Sequence, residues 1–328
     1  MASRIAFVVV SLLPLAGASG ATAYPQTRPA KKITIGLVAK SQSNPVFQAA
    51  YAGAKDAARE LGPKYDADVT IDWQTPPDED AQKQAEAIEQ LARSGAAGIA
   101  VSCSDANTCT PAIDKAVQLG AIVMCFDSDA PRSKRLCYFG TDDAVCGQRV
   151  LDELARTLND KGTIAILAGN QSAPNLQKRV AGVREELKKH PQMTLLPDGV
   201  FYHPETPEQA VEAVNTAQTT HPEIKGWAMI GGWPLFTKDA LKWSPGAVKV
   251  VAVDALPAQL SYLESGHVQT LFAQDCYGWG YESVRLLLNK IVKGDVPKEP
   301  RIIDPLTRIT KDNAGEFRKK WDKWLGKK

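Results

Sequence analysis

Net charge, histidine and long apolar runs are all scarce in this chain. Thirty-nine Lys and Arg stand against 37 Asp and Glu, a formal net charge of +2 over 328 residues. That balance supplies no basic surface for nucleic acid. The four His, at 190, 203, 221 and 267, are scattered, and no HExxH or Cys-x-x-Cys pair offers a metal cage. No nucleophile with a placed base and no cofactor fingerprint is evident, so an enzyme is not expected, and neither is a cofactor. The remaining composition, 44% hydrophobic and 23% charged, is that of a globular chain long enough for two domains.

The N-terminus reads as a separate object. Arg4 is a positive start, Ile5 to Ala16 an apolar stretch, and Ala21-Thr22-Ala23 an A-x-A cleavage signal. A membrane anchor is the alternative, but the stretch is short for a bilayer and Pro14 interrupts it. We expect residues 1–23 to be a signal peptide and the mature chain to be exported to a periplasm. No Cys lies near this site, so a lipid anchor is not expected.

The six Cys are at 103, 109, 125, 137, 146 and 276, an even count that permits disulfides in an exported chain. Cys103 with Cys109, and Cys137 with Cys146, flank short polar loops and are credible local bridges. Buried, inert thiols are the alternative.

Beyond Lys32 the pattern alternates between apolar strand runs and helical periodicity. Strands are expected at 33–39, 69–73, 98–102, 121–126 and 138–142. Helices are expected at 45–61, 78–94 and 111–119. The alternation restarts with helices at 144–158, 175–189, 207–219, 235–241, 257–264 and 278–292. Strands at 163–167, 199–203, 226–230, 248–253 and 270–273 lie among them. A late extended segment at 301–306 and a helix at 313–324 close the chain. Repeated βα units mean parallel sheets covered by helices on both faces. Two such series mean two similar lobes, with a ligand pocket between them.

Polar clusters sit at strand ends, where open α/β sheets bind ligands. Lys40 to Phe47 follows the first strand, and Asp127-Ser128-Asp129 follows the fourth. Asn44 either caps the next helix or bonds hydroxyls, and one Asn can do both. Phe47 is a core residue or a face for a sugar ring. Lys40 is expected to pair with Asp127 or Asp129. Those two carboxylates either accept from vicinal hydroxyls or cap the loop. Asn175 and Arg179 are four apart on one helix face. Trp233 covers a loop or stacks on a ring, and Asp254 and Gln274 each end a strand. The loop 169–175 lacks both the G-x-x-x-x-G-K-[ST] and G-x-G-x-x-G patterns, so a nucleotide is not expected there.

In order and spacing these segments resemble the periplasmic sugar-binding proteins of ABC transporters, of the ribose- and xylose-binding type. Lys-Ser-Gln-Ser-Asn-Pro-Val-Phe (40–47) is similar to that family's Asn-Pro-Phe-Phe segment, and Val-Met-Cys-Phe-Asp-Ser-Asp (123–129) to its first Asp motif. Asn-Leu-Gln-Lys-Arg-Val-Ala-Gly (175–182) is similar to its Arg-x-x-Gly helix start. Val-Val-Ala-Val-Asp (250–254) resembles its second Asp motif, and Phe-Ala-Gln-Asp (272–275) its third-crossing Gln. The resemblance implies an α/β chain of two Rossmann-like lobes joined by a three-segment hinge. It places 33–140 and 275–299 in the N-terminal lobe, and 141–274 and 300–328 in the C-terminal lobe. It implies a monosaccharide or similar small polyol held by Asn44, Phe47, Asp127, Arg179, Asp254 and Gln274. It also implies a monomeric receptor with an ABC permease as partner. Ser128, Val253 and Val46 depart from the ribose-binding pattern and argue against ribose. Lys40 with Asp-Ser-Asp also resembles autoinducer-2 and rhamnose binders, so a periplasmic sensor is the alternative.

Overall fold

A computed structural model of the chain describes Met1 and residues 30–324. The expected signal peptide and cleavage site lie outside the described residues. Twelve strands fall into two six-stranded sheets. The first sheet contains β1 (Lys31–Val38), β2 (Ala67–Trp73), β3 (Gly98–Val101), β4 (Ile122–Phe126), β5 (Tyr138–Gly140) and β11 (Arg301–Ile303). Its spatial order is β2-β1-β3-β4-β5-β11. The second contains β6 (Gly162–Ala168), β7 (Met193–Tyr202), β8 (Ile224–Met229), β9 (Lys249–Val253), β10 (Thr270–Ala273) and β12 (Thr307–Ile309). Its order, β7-β6-β8-β9-β10-β12, repeats the first. Among the described residues, only the β10–β12 pair is antiparallel.

The central strands β3, β4, β9 and β10 are apolar and buried almost throughout, as parallel strands covered on both faces must be. The covering helices start at capping side chains. The Asp80 side chain accepts from Lys83 N ahead of α2 (Ala81–Arg93), and Asp142 from Val145 N ahead of α4 (Asp143–Thr157). Asp105 caps α3 (Ala106–Gln118), which therefore begins a turn before Pro111, the expected start. The segment expected as a helix at 235–241 is one short turn, Trp233–Phe236. The helix expected over 278–292 is α8 (Cys276–Leu288), followed by a wider turn at Asn289–Lys293 that Gly294 closes with φ +78°.

Two expectations are corrected. The third crossing between lobes lies after residue 303, because β11 pairs in parallel with β5 through Arg301 and Tyr138. Residues 301–303 thus belong to the first sheet, not the second. All six cysteines are free and buried. Cys137 and Cys146 sit in different apolar clusters, so no local bridge joins them. Cys109 lies on the inner face of α3, where its thiol donates to Gln84 Oε1 at 3.0 Å. These thiols pack as small core residues.

Each lobe also contains a helix pair that only glycine permits. A Cβ on Gly280 of α8 would lie 1.7 Å from the Ala50 carbonyl of α1 (Pro45–Leu61), and one on Gly53 would lie 2.0 Å from the Tyr277 carbonyl. In the second lobe, a Cβ on Gly147 of α4 would lie 2.0 Å from the Arg179 carbonyl of α5 (Pro174–Leu187), and one on Gly182 would lie 2.1 Å from the Ala144 carbonyl. Backbone cannot yield as a flexible side chain can. We therefore expect Gly280→Ala to destabilise the protein by about 1–3 kcal/mol through overpacking. Gly315→Ala, in the C-terminal helix α9 (Ala314–Trp324) with nothing within 4 Å, should instead be neutral or stabilising by up to about 1 kcal/mol. Thermal denaturation of the two variants checks this; equal melting temperatures would refute it.

Candidate functional site

The two sheets present their strand ends to one another, and the same device appears on both sides. Strand β4 runs into Asp127 and β9 into Asp254, which occupy equivalent places in the two sheets. Both Asp adopt left-handed backbone, with φ of 54° and 71°. Each backbone N–H is held by the next strand, Asp127 by Phe139 O at 3.2 Å and Asp254 by Phe272 O at 2.9 Å. Asp is among the few non-glycine residues that tolerate this conformation, and such outliers cluster at ligand sites.

Neutral donors serve the two carboxylates. Asp127 Oδ2 accepts from Ser102 Oγ at 2.6 Å and Oδ1 from Asn175 Nδ2 at 3.3 Å. Asp254 Oδ1 accepts from Gln274 Nε2 at 2.8 Å, and burial raises its pKa. An ionised carboxylate has about four acceptor sites, so both retain capacity for further donors.

The cations are placed differently. Arg179, 2% exposed, donates from Nε to Asp143 Oδ1 at 2.9 Å, and through its two terminal nitrogens to Ile230 O at 3.0 Å and Gln274 Oε1 at 2.8 Å. Burial opposes its charge, but the surrounding anionic groups outweigh this and its pKa is raised. Burial lifts the Asp143 carboxyl to about 6 despite Arg179. Lys40 Nζ lies 3.4 Å from both Asn175 Oδ1 and Glu205 Oε1. Burial disfavours its charge, yet Glu205, Glu79 and Asp127 together raise its pKa. Lys40 therefore does not hydrogen-bond Asp127 or Asp129, as expected from the sequence; its ion-pair partner is Glu205.

Several of these bonds cross between lobes. Lys40, Asp127 and Glu79 come from the first lobe, and Asn175, Glu205 and Asn170 from the second. Asn170 Nδ2 donates to Glu79 Oε1 at 3.3 Å. Apolar faces complete the walls. The Phe47 and Trp279 ring centroids are 6.2 Å apart, and Trp233 rests on Gly169 and Gly231, where no Cβ would fit. The His203 ring meets Trp233 edge-on at 4.9 Å. Asn44 does cap α1, through Oδ1 to Val46 N at 3.1 Å, and also lines the cavity.

Nine of the ten residues singled out in the sequence line this one cavity: Lys40, Asn44, Phe47, Asp127, Asn175, Arg179, Trp233, Asp254 and Gln274. Asp129 does not. Arg135 grips both of its carboxylate oxygens, one at 2.7 Å, which removes it from the cleft. Glu205 and Trp279 also line the cavity and were missed. Glu205 follows β7 in the same strand-end position as the others, which was the available signal. Trp279 lies in the first turn of α8 and reads as core. Outside the cavity, Asp152, Glu186 and His190 bring one possible metal-ligand atom each to within 4.8 Å of one another. Glu186 already holds Lys189 at 2.8 Å, and His190 Nδ1 faces Asp160 at 2.7 Å.

Comparison with known proteins places the fold. The periplasmic binding protein domain family matches residues 35–295. A D-apiose import binding protein of Actinobacillus succinogenes is 23% identical over 87% of this chain and 90% of its own. The L-arabinose-binding periplasmic protein of Escherichia coli is 23% identical over 92% and 95%. Among solved structures, a solute-binding protein of an ABC transporter from Burkholderia graminis, in complex with D-arabinose, superimposes with a TM-score of 0.79. It is 28% identical and covers 87% of this chain and 98% of that one. With the family match spanning most of its length, and the two-sheet architecture agreeing with it, the chain belongs to the periplasmic binding protein family.

Proposed function

We propose that this protein is the periplasmic receptor of an ABC importer, holding a monosaccharide or similar small polyol between its lobes and delivering it to a membrane permease. The observation that carries this reading is the pair of left-handed aspartates, Asp127 and Asp254, facing one cavity from equivalent strands of the two lobes. Carboxylates with neutral partners and spare acceptor sites suit vicinal hydroxyls. The Phe47, Trp279 and Trp233 rings suit the apolar faces of a sugar ring. Asn175 and Gln274 add neutral amides. Names of relatives point the same way, since they specify D-apiose, L-arabinose and D-arabinose. Residues 1–23 serve as the export signal, and the chain acts as a monomer. The ligand set is the nine cavity residues with Glu205 and Trp279. Segments near 141, 275 and 304 are the hinge.

Three measurements test this. The mature protein, stripped of ligand by unfolding and refolding, is screened by thermal shift against pentoses, hexoses and polyols, including D-arabinose, L-arabinose and D-apiose. A ligand that binds only the native state adds about 2.7 kcal/mol of stability at a hundred times its Kd, and so raises the melting temperature. We expect one sugar class to do so; no shift with any member would sink the assignment. Asp127→Ala and Asp254→Ala should each weaken that binding about 10- to 100-fold, the worth of a hydrogen bond to a charged group, with circular dichroism unchanged. Intact mass of the exported protein should place its N-terminus at Tyr24; retention of residues 1–23 would refute the signal.

A further inference from the structure

At the mouth of the cleft, two residues outside the ligand set, Glu79 and Asn170, stand beside two that belong to it, Lys40 and Glu205. Glu79 lies on the loop between β2 and α2 of the first lobe, and Glu205 on the loop after β7 of the second. The Lys40 ammonium lies 3.4 Å from Glu205 Oε1 and also feels the charge of Glu79. The Lys40 and Glu205 side chains are 3% and 8% exposed, so solvent screens this pair little, while Glu79 is half-buried. Asn170 of the second lobe donates to Glu79 at 3.3 Å and completes the junction.

We propose that Lys40, Glu79, Glu205 and Asn170 form a proton-coupled latch: closing the lobes sets two carboxylates against one ammonium and takes up a proton on Glu79, so closure and ligand affinity weaken as the surroundings become less acidic. Lys40 is already committed to Glu205, and it is also drawn by Asp127. It cannot neutralise a second carboxylate fully. A protonated Glu79 removes the repulsion with Glu205.

Glu205 repels Glu79 from the opposite lobe and Lys40 attracts it from β1, while the neutral Asn170 and Ser104 lie beside it. Asp78 and Asp80 flank it on its own loop. His203 lies next to Glu205, and burial lowers its pKa. Burial first, and Glu205 second, raise Glu79 from its usual 4.5 to about 7 in the closed cleft. With the lobes apart, Glu205 and the burial are gone and the usual value returns. The sign follows. A carboxyl raised by closing favours the closed form fully below about 4.5, loses that advantage as pH climbs to about 7, and is constant above.

This inference rests on the receptor reading for its ligand but not for its closure, so the test separates the two. Small-angle scattering of the ligand-free mature protein gives its radius at pH 5.0 and 7.5, and titration calorimetry with D-arabinose gives Kd at both. Wild type should be more compact at pH 5.0. D-arabinose should bind about tenfold or more tightly there, one pKa unit of differential interaction being tenfold. Glu79→Gln, which mimics the protonated carboxyl, should remove most of both changes. The same pH response in Glu79→Gln would overturn the latch and assign the effect to Asp143 or Asp254. So would a wild type whose radius and Kd ignore pH. A pH-dependent radius that Glu79→Gln abolishes, with no D-arabinose binding, would support the latch and count against a pentose receptor.

Discussion

A single buried guanidinium ties the working parts of this protein together. Arg179 leaves α5 and reaches Asp143, where the chain has just crossed from the first lobe to the second. It also reaches Gln274, where the chain is about to cross back, and the Ile230 carbonyl at the end of β8. An ion of that size costs several kcal/mol to take out of water, and only good geometry with further hydrogen bonds repays it. Here each bond it makes anchors a different segment. Gln274 passes the constraint on, spending its other amide group on Asp254. Guanidinium, amide and carboxylate thus form one chain, from the crossings to the floor of the cavity.

That chain needs α5 held at a fixed distance from α4, which explains the glycines. Gly147 meets the backbone of Arg179 itself. A larger residue would push away the very turn that carries the guanidinium. The first lobe repeats the arrangement with Gly53 and Gly280, bringing Trp279 against Phe47 and Phe126. The lobes therefore share strand order, glycine-matched helices and a left-handed strand-end Asp. They differ in what they bring to the cavity: the first lobe supplies most of the aromatic wall, the second the buried Arg179 guanidinium.

Much of this was readable in the residues because its causes are local. Ile122 to Phe126 and Lys249 to Val253 are apolar runs that end abruptly in Asp, and that break announces both the strand and the exposed functional group. What escaped depends on contacts between distant positions. Lys40 and Glu205 are 165 residues apart, and nothing near either names the other. Asp129 looked equivalent to Asp127, yet a two-residue step along the turn carries it to Arg135. Strand β11 is three residues with two exposed, so it has almost no apolar signature, and only main-chain pairing to β5 assigns it to the first sheet. Cysteine spacing was right about one proximity and wrong about the other: the Cys103 and Cys109 thiols do lie side by side, though unbonded, whereas Cys137 and Cys146 pack into different apolar clusters.

The strength of the cross-lobe bonds bears on how a ligand would act. Asn175 to Asp127 is 3.3 Å, Lys40 to Asn175 and to Glu205 3.4 Å, and Asn170 to Glu79 3.3 Å. All are at the long end of hydrogen-bond geometry, where such contacts contribute least. The bonds within the second lobe, from Arg179 and from Gln274 to Asp254, run from 2.8 to 3.0 Å. The polar bonds between lobes are therefore longer than those that organise the second lobe, and the balance between open and closed forms draws little from them. A ligand shifts such a balance only by what it gains in the closed form over the open one. Hydroxyls that met Asp127 from one lobe and Asp254 from the other would make their bonds together only when the lobes are shut, so the ligand's differential affinity would come from the same two aspartates that the fold holds in an uncommon backbone conformation.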